Sequence, residues 1–382
     1  MKNNKYIITI IAFAILIKFG LFAIGTMRVP DSKFDPDTVD YLNTASTLYS
    51  DFSFASKDSN GVLKPHVLRT PGYPIFLAIV HNLMKVPLSG VIFLQVLLTI
   101  LAAFILYKTT IQIDERLAVL SAIIMLYDLP VSVFSLKLMT EALFLALITL
   151  FIYIFIRYLK TGRFKFVLLS SILLVISTYV RPISYYLGIA TAVFIVYANI
   201  PRNFKIAIKH ALIFLIIVYS LLGVWQVRNY RCCKVKSFTS IEGYITKLYG
   251  LVREPVEGKN HAGGFITATV KSSFNYLYEF QRAFLSVMTR PGTLKYFHSK
   301  PLAAAGKIFG YLLVAFWMIG FLAGIFRIKK NIYFQFLTLL ILYFLMVAIV
   351  SLGVDAAERF RVPIVPCIAI ISSYGWSLLR LI

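Results

Sequence analysis

Cysteine, acidic residues and soluble-sized polar segments are all scarce in this chain. Three cysteines occur in 382 residues, Cys232 beside Cys233 and Cys367 far away. That spacing excludes a disulfide framework and a zinc motif. Acids number 16 against 39 basic residues, a net charge of +23, and charged residues make up only 14% of the chain. A soluble domain carries about a quarter. There is no P-loop, no Gly-x-Gly-x-x-Gly, no internal repeat and no low-complexity tract. Nothing in the sequence therefore cradles a soluble nucleotide.

What is abundant is apolar sequence, 59% of residues with a mean hydropathy of +0.81. It is gathered in blocks of roughly 18 or more residues, enough to cross about 30 Å of hydrocarbon. The composition predicts an all-α polytopic membrane protein with spans at 6–27, 88–107, 117–135, 142–158, 165–180, 183–199, 210–227, 305–326, 332–351 and 362–380. The N-terminus, with Lys2 and Lys5 ahead of its apolar run, resembles a signal peptide but is longer than an h-region, so it reads as an uncleaved first span. The stretch 73–86 is too short to span and reads as an interfacial helix.

Basic residues recur in alternate short loops: Lys108 and Arg116; Arg157, Lys160, Arg163 and Lys165; Arg202, Lys205 and Lys209; Arg327, Lys329 and Lys330. The positive-inside bias and anionic lipid account for this charge, so a nucleic-acid partner is not expected. Both termini are then placed inside. The polar segments 28–72 and 228–304 fall outside, as do the turns at Glu141, Arg181-Pro182 and Asp355–Arg361. The whole chain, 1–382, reads as one membrane domain whose chemistry lies on the outer face of a plasma membrane of the bacterial inner-membrane type.

The first outer segment holds the main clue. Asp35-Pro36-Asp37 reads as a helix start, with Asp35 as N-cap and Pro36 at the first helical position. Val39, Leu42, Ala45 and Leu48 then recur at helical spacing, an amphipathic pattern suited to a membrane surface. Asp37 and Tyr41 stand four residues apart on one face; Asp40 is assigned to a different, solvated face. Two readings of Asp37 stand side by side. It answers the helix dipole, or it is a carboxylate kept ionised to take a proton from an acceptor hydroxyl.

Arg69-Thr70-Pro71-Gly72-Tyr73-Pro74 is a rigid turn that presents Arg69 and Tyr73 in fixed geometry, either as plain structure or as a ligand site. His66 reads as loop polarity more readily than as a metal ligand. Glu141 stands at the mouth of a span, where it is either solvated or functional. Arg181, Arg228 with Asn229, and Arg359 with Arg361 place guanidinium groups on the outer side, against the usual bias, which favours an anionic ligand there. Lys18 and Asp128 are charges within spans, and such charges can mark a transport path or line an enzyme cavity.

Taken in order, these residues resemble a known family. Asp37-x-x-x-Tyr41-x-x-x-Ala45, Arg69-x-Pro-Gly-Tyr-Pro-x-Phe-Leu-Ala78, Thr140-Glu141-Ala142-Leu143-Phe144, Arg181-Pro182, Trp225-Gln-Val-Arg228-Asn229-Tyr230 and Arg359-Phe-Arg361-Val-Pro363-Ile-Val-Pro366 are similar to GT-C glycosyltransferases of the protein mannosyltransferase and aminoarabinose transferase type, family 39-like. The set covers essentially the whole chain. The resemblance implies a GT-C architecture with an amphipathic helix in the first outer loop. It also implies an inverting transferase that takes a hexose or pentose from a polyprenyl-phosphate donor. Asp37 is then the base, and Glu141 positions the acceptor or holds a divalent metal. Arg69, Arg228 and Arg359 hold the lipid phosphate, and Asp35, Tyr41, His66, Tyr73, Arg181, Asn229 and Arg361 join the substrate-binding set. No metal ligand set and no firm cofactor are assigned.

The second outer loop, about 75 residues, is too short for a large periplasmic domain. A lipid-linked glycan, as in lipopolysaccharide or other cell-envelope glycan synthesis, is therefore a better expected acceptor than a protein. The alternatives are a transporter or flippase, motivated by Lys18 and Asp128, and a polymerase or ligase of lipid-linked glycans using similar arginines.

Overall fold

The computed structural model describes residues 2–28, 30–57, 61–200, 203–239, 278, 281–291, 300–327, 331–352 and 358–379. Arg202, Lys329, Lys330, the turn at Asp355 and most of the segment 228–304 lie outside them.

The helices are α1 Lys2–Arg28, α2 Pro36–Ser50, α3 Gly72–Leu77, α4 Leu88–Ile113, α5 Ala118–Tyr127, α6 Leu129–Ser135, α7 Glu141–Thr161, α8 Phe164–Val180, α9 Leu187–Asn199, α10 Phe204–Cys233, α11 Lys300–Ile325, α12 Ile332–Leu352 and α13 Val365–Leu378. Short 3₁₀ turns precede α9 (Pro182–Ser184) and α13 (Glu358–Ile364). Strands β1 Ala55–Lys57 and β2 Leu63–Pro65 pair antiparallel, with Ala55 opposite Pro65.

Eight stretches among the described residues are long and apolar enough to cross a membrane, and they coincide with eight of the ten expected spans. The chain is a multi-pass membrane protein. Of the other two expected spans, 165–180 is the shorter apolar helix α8. The span expected at 117–135 is not one rod: α5 and α6 meet at a 53° bend. Pro130 has no N–H for a continuing ladder, and Asp128 caps the new helix by accepting from the Val131 N–H at 3.1 Å. The short apolar segment forms α3, continued by a π-helical turn over Ala78–Leu83.

The last span and α7 are the most enclosed, with 78% and 67% of their apolar windows buried against 17% for α1. Helix α7 packs on α4 and α8; α10 packs on α8 and α9, and α11 on α13. The α11–α13 pair is close because Gly320 and Gly324 face Gly375, where a Cβ would strike the backbone of both. Lys18 and Asp128 both have partners within the bundle. Lys18 Nζ donates to Ser132 Oγ at 2.9 Å. Asp128 Oδ2 lies 3.5 Å from Arg361 Nη2.

Helix α2, the hairpin, the turn before α3, the start of α7, the end of α8 and the turn 358–364 gather at one end of the bundle. Two bonds fix α2 there: the Leu138 N–H donates to Lys33 O at 2.9 Å, and Thr38 Oγ1 donates to Leu138 O at 3.2 Å.

Candidate active site

Helix α2 starts as its sequence directs. Asp35 is its N-cap, Pro36 its first residue, and Thr38 Oγ1 accepts from the Asp35 N–H at 2.9 Å. Asp35 Oδ2 also pairs with Lys137 Nζ at 2.5 Å. Asp37, in the first turn, is a quarter exposed. The next turn puts Asp40 beside it, and here the sequence reading needs correction. Residues three apart on a helix are neighbours, so Asp40 is not on a separate solvated face. Arg69 Nη2 lies 2.8 Å from Asp37 Oδ1 and 3.0 Å from Asp40 Oδ2, and Arg69 Nε adds a bond to Asp40 at 3.1 Å.

Three features hold Arg69 in place. Its guanidinium lies 5.2 Å from the centre of the Tyr41 ring. Tyr41 in turn meets Tyr73 edge-on at 5.1 Å. The turn itself is pressed on the end of α8, where a Cβ at Gly72 would come within 2.7 Å of the Tyr179 and Val180 backbone. Only glycine allows that approach. Thr70 Oγ1 donates to Val180 O at 3.4 Å across the same contact.

Glu141 opens α7 and is fully buried. A carboxylate there needs compensation, which Arg181 Nη1 and Arg359 Nε supply, each 3.1 Å from Oε1. The Arg181 Nη1 contact is an ion pair without hydrogen-bond alignment, leaving that donor unsatisfied among the described residues. Arg359 Nη2 also reaches Asp37 Oδ2 at 3.4 Å. Phe360 lies beneath Arg181 and Arg359, 5.1 and 5.3 Å from their guanidinium carbons. The result is an alternating chain, Asp40–Arg69–Asp37–Arg359–Glu141–Arg181. Burial pushes the Asp37 carboxyl up, but the charges and hydrogen bonds of Arg69 and Arg359 outweigh it and hold it below the usual carboxylate range. Burial raises the Tyr41 hydroxyl to about 12, so Tyr41 stays neutral at physiological pH.

The remaining expected site residues stand apart from this chain. Tyr73 is fully buried, and its hydroxyl donates to Gln95 Oε1 at 2.6 Å. Arg228 is occupied by main-chain carbonyls, His66 O at 2.7 Å and Phe54 O at 2.6 Å, and packs 4.8 Å from the Trp225 ring. It fastens the β1–β2 hairpin to α10. Asn229 is buried and donates to Phe238 O at 3.0 Å. His66 is half-buried with Nε2 unbonded among the described residues; burial lowers its basicity while Asp40 pulls the other way. Arg361 is buried and donates to Met288 O at 3.1 Å and Arg290 O at 2.8 Å, tying the segment 281–291 to the turn before α13. Sequence reading missed Asp40 and Phe360, although the three-residue spacing from Asp37 was a sufficient signal for the first.

The arrangement does not fit a metal. No three His, Cys, Asp or Glu side chains stand together to share an ion among the described residues. The carboxylates of Asp37, Asp40 and Glu141 each already face a guanidinium. What remains is a cationic rim: among the described residues no acceptor takes Nη1 of Arg69 or of Arg359, and both side chains are partly exposed. Such a rim can bind a phosphate next to an ionised carboxylate.

Residues 65–225 match the family model described as dolichyl-phosphate-mannose-protein mannosyltransferase. No curated protein sequence matches the chain. Among solved structures, the Archaeoglobus fulgidus oligosaccharyltransferase tethered with an acceptor peptide aligns with a TM-score of 0.55 at 13% identity, over 98% of this chain and 49% of that one. AglB from the same organism, in complex with an inhibitory peptide and a dolichol-phosphate, aligns at 0.55 and 14% identity, over 99% and 50%. The A. fulgidus enzyme in complex with Zn and sulfate aligns at 0.54 and 13% identity, over 97% and 49%. The chain spans about half the length of the solved structures it matches. Its fold is therefore the GT-C fold.

Proposed function

We propose that this chain is a GT-C glycosyltransferase that moves a sugar from a polyprenyl-phosphate donor to a lipid-linked glycan or another cell-envelope acceptor, with inversion, at the outer face of a plasma membrane. The observation that carries this reading is Asp37, an ionised carboxylate flanked by Arg69 and Arg359 at the partly open end of a membrane bundle. A base next to two phosphate-binding groups is what displacement of a lipid phosphate by a hydroxyl needs.

In the proposed step the acceptor oxygen bonds to the anomeric carbon as the bond from that carbon to the phosphate oxygen breaks. The acceptor proton passes to Asp37 and the electron pair leaves with the lipid phosphate. One displacement inverts the anomeric centre. Nη1 of Arg69 and of Arg359 receives the phosphate, whose charge grows by one as the sugar leaves. That gain is offset by the proton on Asp37, so the net charge of the site stays constant. As the phosphate draws on both arginines, their hold on Asp37 weakens and its basicity rises. Glu141 holds Arg359 and Arg181 in place from below.

A transporter reading has less support, because Lys18 is hydrogen-bonded to Ser132 and Asp128 faces Arg361. The test is Asp37→Asn in the full-length protein, assayed for sugar transfer from membrane lipid extracts to endogenous lipid-linked glycan. Transfer falls about 10²- to 10⁴-fold, the usual contribution of a general base. Expression and thermal stability are the controls, and full activity in this variant rejects the assignment.

A further inference from the structure

Two carboxylates converging on one point of a buried site repel unless something positive lies between them, whether a proton, a metal ion or a fixed cation. Asp37 and Glu141 converge in this way, from α2 and from α7. Asp37 Oδ2 and Glu141 Oε1 lie 3.4 and 3.1 Å from nitrogens of the same guanidinium, that of Arg359. The charges in mutual contact are balanced: Asp37, Asp40 and Glu141 against Arg69, Arg181 and Arg359.

We infer that Arg359 is the resident cation of this site, its guanidinium occupying the position between Asp37 and Glu141 that would otherwise take a divalent ion. Three further observations agree. Arg359 sits in the 3₁₀ turn Glu358–Ile364 that packs on α7, with its guanidinium carbon 5.3 Å from the Phe360 ring. Glu141 is 1% exposed in its side chain, so solvent does not balance it. A guanidinium stays charged at every physiological pH and offers planar donors that match carboxylates and phosphates alike. It can thus bridge the two acids and keep Nη1 for a phosphate. On the transferase reading, the cation that meets the leaving group is then built into the chain, and a chelator cannot remove it.

The charge count makes the inference testable without a known substrate. Removing Arg359 leaves three carboxylates and two arginines, one negative charge in surplus, with two oxygen ligands facing a vacated space. The probe is Mn²⁺ alone, titrated into the detergent-solubilised full-length protein and followed by electron paramagnetic resonance. The wild type is expected to show no Mn²⁺ binding that Asp37→Asn removes. Arg359→Ala is expected to bind Mn²⁺ at least tenfold more tightly than the wild type, and adding Glu141→Gln is expected to abolish the gain. Arg359→Gln serves in the same way where the alanine variant does not fold. Wild-type Mn²⁺ binding that depends on Asp37 overturns the inference, as does failure of both Arg359 variants to exceed the wild type. Because the readout is ion binding, a failed transferase assignment and a failed cation assignment are told apart.

Discussion

Arg69 contacts Asp37 and Asp40 simultaneously, through Nη2 at 2.8 and 3.0 Å, with Nε adding a second bond to Asp40. One guanidinium spans two successive turns of α2 and fixes the helix against the turn that leads into α3. A lysine cannot do this, since an ammonium is a point charge without a planar fork. Arg69→Lys is therefore expected to cost about 1.5–3 kcal/mol, the worth of one charge-assisted hydrogen bond, read as a roughly 10- to 100-fold rise in donor KM. Asp40→Asn releases part of Arg69 to Asp37 and is expected to lower turnover more than donor affinity. An unchanged kcat in Asp40→Asn contradicts that division of roles.

Asp37 also predicts a pH dependence. Its folded carboxyl lies below the usual carboxylate range because Arg69 and Arg359 outweigh the burial that pushes it up. A depressed acid stabilises the fold above its unfolded value, about 3.9, and that contribution is lost as pH falls through the folded value. Thermal stability is expected to be flat across neutral pH and to drop only at strongly acid pH. Asp37→Asn should flatten the acid drop. A stability loss already centred near pH 6 in the wild type, absent from Asp37→Asn, goes against this pairing.

Arg361 separates stability from chemistry. It is buried, donates to Met288 O and Arg290 O, and faces Asp128, whereas Arg359, two residues earlier in the same turn, faces Asp37 and Glu141. Arg361→Met leaves those carbonyls and Asp128 without their cation, an expected loss of about 3–5 kcal/mol. A melting-temperature measurement in detergent shows it. A variant as stable as the wild type removes Arg361 from the framework and returns it to the binding set.

Gly72→Ala tests how Arg69 is aimed. The added methyl meets Tyr179 and Val180 backbone at 2.7 Å, so the turn must lift off α8. Transfer is expected to fall at least tenfold while expression in the membrane is kept, because the contact joins the turn to the end of α8 and not one helix of the bundle core to another. Wild-type transfer by Gly72→Ala removes the close approach from the account of the site.

The helical spans were legible in the sequence because long apolar blocks have one stable solution in a bilayer. Every backbone group must be bonded within its own helix, and composition alone enforces that. The start of α2 was equally plain, since Asp35, Pro36 and Asp37 act over three residues; the structure adds Thr38 Oγ1, which accepts from the Asp35 N–H. The bend at Asp128 was not seen, although Asp128-Leu129-Pro130 carries a helix start inside an apolar run. Hydropathy averages over such a signal.

The arginines show the boundary between sequence and structure most clearly. Sequence alone placed Arg69, Arg181, Arg228, Arg359 and Arg361 on the same face, and only the family resemblance singled out Arg69, Arg228 and Arg359 for the lipid phosphate. Tertiary structure sent Arg228 to the carbonyls of Phe54 and His66, and Arg361 to Asp128 and the segment 281–291. It brought Arg69, Arg181 and Arg359 onto Asp37, Asp40 and Glu141, whose sequence separations reach 322 residues. The reason is physical: propensity and hydropathy act within a turn or a span, whereas the pairing of buried charges depends on which helix ends the packed bundle brings within about 4 Å.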